Sequence, residues 1–137
     1  MLLKGVVFMY KPKLEKDIRC PLEYGLNLFG GKWKSRIICV LASKECLRYS
    51  ELRNEMVNIT DAVLASTVKE LVSDGIVNRK SYDEIPPRVE YSLTEKGKSV
   101  VPILQSICKW SGIYCNKDSK NTLHQCQKCN YISGEKI

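Results

Sequence analysis

A small α+β fold, mostly α, is predicted by three features of this 137-residue chain. Apolar residues recur at helical spacing in five separate stretches. After Gly75 the period changes from helical to two, as it does when a chain enters strands. Glycine and proline pairs, Gly30-Gly31 and Pro86-Pro87, punctuate the pattern where turns belong.

Each element has its own local reason. Proline is favoured at the first helical position, so Cys20-Pro21 starts a helix that runs through Leu22, Leu26 and Phe29 and stops at Gly30-Gly31. A second helix follows from Lys32 to Ala42 and buries Trp33, Ile37, Val40 and Leu41. Leu47-Arg48-Tyr49 reads as a very short strand. Ser50 is expected to cap a third helix, Glu51 to Met56, with Leu52 and Met56 inward. The turn Val57-Asn58-Ile59 leads to the central helix, Thr60 to Asp74, capped by Thr60, with Asp61 favourably placed at its positive end and Gly75 as its stop. Leu64, Val68, Leu71 and Val72 form its buried stripe. The opposite face holds Ala62, Ser66, Lys69 and Ser73, which are small or polar and carry no acid. Ile76, Val77, Arg79, Ser81 and Asp83 then begin one strand, and Arg88, Val89, Tyr91 and Leu93 form its partner. The stiff loop between them carries Pro86 and Pro87, which fix their own φ and cannot donate to a ladder. Thr94 caps a last helix that contains Pro102, expected to bend it, and a stripe from Val100 to Tyr114 wider than one small domain can cover. Helix, helix, short strand, helix, helix, hairpin, helix is the order of a winged helix-turn-helix, with a two-stranded wing and flanking N- and C-terminal dimerisation helices. The chain divides into an arm at 1–14, this domain at 15–115, and a polar cysteine-containing tail at 116–137.

Composition narrows the partners. Hydrophobic residues make up 44% of the chain, enough for a core, and the net charge is +7 with a sequence pI near 9.0. A basic balance favours a polyanionic partner. No apolar run approaches a membrane span, and the apolar start is too short for a signal peptide, so the expectation is a cytoplasmic protein with no membrane partner. Seven cysteines, an odd number, then point to thiol chemistry or metal ligation over a disulfide framework. No hydrolase or transferase constellation is present: the single histidine lies in the tail, and no Gly-rich phosphate loop follows a strand. The expectation is that the chain is not an enzyme.

Several local patterns then agree. Cys20-Pro21-Leu22-Glu23 precedes Gly30-Gly31-Lys32-Trp33-Lys34. Arg48-Tyr49-Ser50-Glu51-Leu52 leads into the helix-turn-helix, which Leu71 and Asp74-Gly75-Ile76-Val77 close. Ile85-Pro86-Pro87-Arg88-Val89-Glu90-Tyr91-Ser92-Leu93-Thr94-Glu95-Lys96-Gly97 covers the wing and the start of the last helix. From Cys20 to Trp110 the chain resembles the HxlR-type transcription regulators, relatives of MarR-type regulators. The resemblance implies a homodimeric winged-helix repressor or activator on inverted-repeat operator DNA, with an oxidant or electrophile effector acting at the cysteine that matches Cys20. Two positions depart from the family's usual residues: Ala62, often Lys or Arg, and Tyr49, often Phe.

The candidate sites follow. For double-stranded DNA, Ser66 and Lys69 could reach base edges or phosphate, beside Ala62 and with Thr60 and Asp61 at the helix start. Arg88 at the wing tip, with Arg79 and Lys80 along the strand, could grip phosphate or enter the minor groove. Lys32, Lys34 and Arg48, with Ser50, are candidate backbone clamps near helix starts. For redox sensing, a Cys20 thiolate would be stabilised by the unpaired N–H groups of its helix and by Arg19 and Lys16. Cys39 and Cys108 lie among apolar residues and are expected to be buried; Cys46 beside a loop stays open. In the tail, His124, Cys126 and Cys129 have metal-like spacing, with Cys115 a possible fourth ligand to zinc, and the same pair also suits a redox role. Two alternatives to redox-responsive operator binding stand beside it: a metal-responsive regulator using the tail cysteines, and a winged-helix module that binds protein.

Overall fold

In the computed structural model residues 17–115 are described, and the expected arm and the tail beyond Cys115 lie outside them. Five helices and three strands alternate as α1 (Pro21–Phe29), α2 (Lys34–Lys44), β1 (Cys46–Arg48), α3 (Tyr49–Glu55), α4 (Asp61–Ser73), β2 (Val77–Tyr82), β3 (Arg88–Leu93) and α5 (Glu95–Ser111). The element order matches the sequence reading, and its winged helix-turn-helix class holds.

The bounds of three elements, α2, β1 and α3, differ, each for a local reason. Helix α2 starts at Lys34 and runs to Lys44, whereas the sequence placed it at Lys32 to Ala42. Gly31 takes a left-handed φ of 87° and Trp33 occupies the N-cap, which delays the start. Trp33 is consequently half-buried against the core and not inside it. The short strand is Cys46–Arg48, and α3 begins at Tyr49. Arg48, not Ser50, is its N-cap: the Glu51 carboxylate, three residues on, accepts from the Arg48 backbone N–H at 2.8 Å. Ser50 therefore sits within the first turn. Helix α5 passes through Pro102 as one continuous element.

The sheet has three antiparallel strands in the order β1-β3-β2, so the short strand joins the hairpin. Leu47 pairs with Tyr91 across β1 and β3, and Arg79 pairs with the same Tyr91 from β2. Side chains alternate across a sheet. Leu47, Arg79, Tyr91 and Leu93 thus share the face toward the helices. Cys46, Arg48, Lys80, Tyr82, Arg88 and Glu90 share the outer face.

Helix α2 lies at the mechanical centre, touching the four other helices as well as β1 and β3. Its Ile37, Ile38, Val40 and Leu41 are fully or almost fully buried, with Leu52 of α3, Leu64 and Leu71 of α4 and Ile76. Burying such side chains stabilises by about 1.5–3 kcal/mol each. Helix α1, by contrast, has no fully buried residue.

A tight junction fixes α5 to the end of α4. Gly75 adopts φ 78°, which ends α4 and turns the chain into β2. The Thr94 hydroxyl donates to the Gly75 carbonyl at 2.6 Å and accepts from the Gly97 N–H at 2.9 Å, while the Thr94 N–H donates to the Ile76 carbonyl at 3.0 Å. Lys96 adds two bonds, to the Asp74 carbonyl at 3.0 Å and to the Tyr24 hydroxyl of α1 at 3.1 Å. Gly97 is pressed against this turn: a Cβ there would stand 2.3 Å from the Ile76 carbonyl oxygen. Backbone is the obstacle, so relief requires moving α5. Gly97→Ala should lower stability by about 2 kcal/mol, within the usual range for overpacking, read as a lower urea midpoint; an unchanged midpoint would show that the junction yields.

Candidate nucleic-acid interface

Helix α4 carries the exposed face expected from sequence. The Thr60 side chain accepts from the Val63 N–H at 3.2 Å and caps the helix. Arg53 of α3 forms an ion pair with Asp61, and the Tyr49 hydroxyl donates to the Asp61 carbonyl at 3.4 Å, which fixes α3 against the start of α4. Leu64, Thr67, Val68 and Leu71 face inward. Ala62, Ser66 and Lys69 are exposed. Ser66 donates to the Val63 carbonyl at 3.2 Å, so its hydroxyl oxygen stays available as an acceptor at the surface. A capped, rigid helix with a short-side-chain outer face is what close approach to another surface requires.

The basic residues divide into groups that the sequence could not separate. Lys69 and Arg79 line one groove between α4 and the sheet. Lys32 is exposed, its ammonium 4.8 Å from the Trp33 ring centre, with Arg36 on the same ring at 4.8 Å. Lys34 is an internal strap: it donates to the Asn27 carbonyl at 2.9 Å and pairs with Glu70 of α4 at 2.7 Å, with only 15% of its side chain exposed. That position leaves little of its charge for a partner. Arg48 is exposed at the cap of α3, with Ser50 exposed beside it.

The wing is the largest departure from a simple cationic arm. Arg79 and Lys80 point to opposite faces of β2, so one contact surface cannot use both. Arg88 does not extend from the tip. Its guanidinium lies 3.7 Å over the Tyr82 ring and is held by Glu84 at 2.8 Å and by Glu90 at 2.5 Å. These bonds, Glu84 first, raise its already high pKa. What the tip presents is Ile85, fully exposed. The Cys46 thiol donates to the Glu90 carboxylate at 3.2 Å. Partial burial, then that bond and the charge of Glu90, push the Cys46 thiol pKa up. In return the bond from Cys46, and then Arg88, hold Glu90 below the usual carboxylate range. This cluster escaped the sequence reading, although Arg88 and Glu90 alternate on one strand face and Glu84 lies four residues before Arg88.

Cys20 is exposed at the N-cap of α1, with extended backbone and no side-chain capping bond. Its Arg19 neighbour is engaged: the guanidinium pairs with Asp17 at 2.9 Å, and the Arg19 N–H donates to Glu23 at 2.7 Å. Cys115 is exposed. Cys39 and Cys108 are half-buried, a correction to the buried sites expected, because each lies at the margin of its helix's inward stripe. Lys16 and the proposed ligands His124, Cys126 and Cys129 lie outside the described residues. Among the described residues no cluster of three or more His, Cys, Asp or Glu could hold a metal ion, and no helix is long and apolar enough to cross a membrane.

Two apolar surfaces are uncovered. On α1 and just before it, Ile18, Leu22 and Leu26 are 41%, 68% and 51% exposed; near the end of α5, Trp110, Ile113 and Tyr114 are 64%, 73% and 75% exposed. Trp110 and Tyr114 pack on each other at 5.5 Å.

A capped helix with an exposed outer face, a shorter helix tied to its start, and a hairpin wing beside it define the winged helix-turn-helix class. Comparison with known proteins places the chain within that class. The family model described as HxlR-like helix-turn-helix matches residues 28–119, and the chain belongs to this family. A relative in Methanothermobacter thermautotrophicus, an uncharacterized HTH-type transcriptional regulator, is 50% identical over 100 residues, which is 73% of this chain and 76% of the relative. Among solved structures, the redox regulator HypR in its oxidized form is similar at 37% identity and a TM-score of 0.65, covering 71% of this chain and 99% of HypR. The reduced form of the transcriptional regulator YodB from Bacillus subtilis is similar at 33% identity and a TM-score of 0.64, covering 72% and 97%.

The Cys46–Glu90–Arg88 cluster makes a direct prediction. Glu90→Gln removes the acceptor charge that disfavours the thiolate, so Cys46 should alkylate several-fold faster in mildly alkaline iodoacetamide, followed by peptide mass spectrometry. An unchanged rate would mean that Glu90 does not restrain the thiol. Because Glu90 is held below its unfolded value, its contribution to wing stability is present at neutral pH and is lost as pH falls through the folded-state value.

Proposed function

We propose that this chain is a homodimeric, sequence-specific DNA-binding transcription regulator that binds inverted-repeat operator duplex through α4, with a redox response at Cys20. The observation that carries it is the outer face of α4: Ala62, Ser66 and Lys69 exposed on a helix capped at Thr60 and braced by α3. Such a helix fits the major groove, where serine can meet base edges, an alanine methyl can meet a thymine methyl, and lysine can meet phosphate. Arg48 at the cap of α3 and Lys32 are flanking phosphate contacts. From the sheet Arg79, on the α4 side, is the candidate contact while Lys80 faces away from it, and Ile85 with its prolines lies nearest the minor groove. Arg88 acts within this arrangement as a brace of the wing more than as a phosphate grip.

The homodimer is supported by the apolar surfaces of α1 and α5 that no described residue covers, which a second copy could satisfy. A twofold axis through them sets two α4 helices roughly 34 Å apart, one turn of duplex, which accounts for an inverted repeat. HypR, a redox regulator, supplies the analogy for the response. Cys20 is exposed and stands on the same α1 that would border the interface. Two thiols losing two electrons and two protons to an oxidant form a disulfide; Cys115 of the second copy or a small thiol could supply the other sulfur. The bond would tilt the dimer and misplace the two readers, and reductant would restore them.

Titration of duplexes selected from genomic fragments tests the reading. Affinity should fall with salt at a log–log slope of about 0.9 per phosphate neutralised. Lys69→Ala should reduce that slope by about one and weaken binding on every sequence, whereas Ser66→Ala should change the preferred sequence. If no duplex outcompetes random DNA at moderate salt, the regulator reading fails. A mild oxidant or a quinone should weaken operator binding by wild type reversibly and leave Cys20→Ser unaffected. Equal responses would remove Cys20 from the sensor role.

A further inference from the structure

Helix α1 rests on the fold with little apolar packing. None of its residues is fully buried, and Leu28 and Phe29 at its C-terminal end meet the core only in part. A pair of lysines, each from a third helix, joins α1 to α4. Lys34, the first residue of α2, donates to the Asn27 carbonyl of α1 at 2.9 Å and pairs with Glu70 of α4 at 2.7 Å. Lys96 of α5 donates to the Asp74 carbonyl at the C-cap of α4 at 3.0 Å and to the Tyr24 hydroxyl of α1 at 3.1 Å.

The two bridges are built alike. The last carbonyls of a helix lack intrahelical donors and carry the negative end of its dipole, so an ammonium suits them. Each lysine takes such a carbonyl from one helix and a side chain from the other. Lys34 caps α1 and holds Glu70, whereas Lys96 caps α4 and holds Tyr24. The contacts run in opposite order along the two helices, Tyr24 with Asp74 and Asn27 with Glu70. The helices are thus tied at two points, about one turn apart on each. One tie would leave a pivot; two resist sliding and rotation together. Lys34 makes the stronger tie, because its side chain is mostly shielded and its ion pair is little screened. Glu70 lies one turn after Ser66, so this tie ends beside the exposed face of α4.

Cys20 stands at the other end of this frame. Its carbonyl accepts from the Glu23 and Tyr24 N–H groups at 3.0 and 3.3 Å, so the thiol and the Tyr24 tie share the first turn of α1. We propose that Lys34 and Lys96 are positioning residues that carry a chemical change at Cys20 to α4. A bulky group on the exposed thiol displaces the first turn, both ties move with α1, and α4 shifts under them. Apolar packing is non-directional and would let α1 slide. Hydrogen bonds between fixed donors and acceptors do not slide without breaking. The resulting loss of operator affinity rests on the reading of α4 and Cys20 given above; the movement of α4 does not.

The test uses full-length, isotopically labelled protein treated with N-ethylmaleimide. The Cys20 sulfur adds to one carbon of the reagent's double bond, and the other carbon takes up a proton. Treated Cys20→Ser is the reference, so shifts from other thiols cancel. Relative to it, the backbone amides of treated wild type should move at residues 22–27 and also at residues 70–75. Tyr24→Phe with Glu70→Ala cuts both ties and leaves both lysines on their carbonyls. In that variant the α1 shifts should persist while the α4 shifts fall at least about fivefold, with Cys20 fully modified by mass spectrometry. Lys34→Met with Lys96→Met cuts the ties from the lysine side and should behave alike. On a selected operator duplex the Cys20 adduct should lower wild-type affinity about tenfold, within the usual range for coupled sites, and change that of the cut variants less than about twofold. Unmoved α4 amides in treated wild type, or undiminished α4 shifts in the cut variants, would overturn the proposal. Failure to select any duplex would sink the operator reading alone, because the amide shifts decide the coupling without DNA.

Discussion

One contact sets the geometry of this protein: the face of Gly97 against the Ile76 carbonyl, where no side chain fits. Around it Thr94 bonds both carbonyls of the turn that ends α4, and Lys96 reaches from α5 to the Asp74 carbonyl and to Tyr24 of α1. The end of α4, the base of the wing, α5 and α1 therefore meet within a few residues. A displacement of α5 at this junction therefore acts directly on the turn that ends α4. In a close-packed interior, small shifts are transmitted and not absorbed.

Around that junction, charge is placed with economy. Acids that might repel a polyanion are matched by cations inside the fold, as Asp61 is by Arg53 and Glu70 by Lys34. The same pairings brace α4 from both sides, one to α3 and the other to α2. Exposed pairs contribute little stability individually, but the Lys34 pair is mostly shielded and is reinforced by the Asn27 carbonyl. Among the described residues, exposed basic side chains without an ion pair include Lys32, Arg48, Lys69 and, on the two faces of β2, Arg79 and Lys80.

Most of the fold was legible in the sequence, because its signals are local. Thr60 and Thr94 announce their helices, Gly75 stops one, and Pro86-Pro87 marks the hairpin loop. The misplacements arose where a neighbour in space decides. Ser50 is as good a cap as any by composition; Arg48 holds the position because Glu51 returns to its N–H and because β1 must pair with β3 through Cys46, Leu47 and Arg48. The site was legible on α4, whose exposed face follows from helical periodicity alone. Elsewhere, positive residues look alike in sequence, and nothing local separates a strapped Lys34 from an exposed Lys32. Arg88 reads as a projecting tip until Glu84 and Glu90 fold back on it. The groove was invisible because its walls come from α3, α4, β2 and β3, brought together only by the tertiary fold.

The alternation along β2 has a consequence for how such a chain can change over generations. Arg79 belongs to the inner face and Lys80 to the outer, and a slip of one residue exchanges them. It would also bury Lys80 against Tyr91 and expose the Val77 end of the core. Insertions or deletions between residues 83 and 87 leave the ladder untouched, since that segment pairs with nothing in the sheet. A change in the length of the wing tip therefore costs the Glu84–Arg88 pair and not the ladder, while the strands behind it can accept substitution only. Diversity in reach and constancy of frame are consequences of the same hairpin.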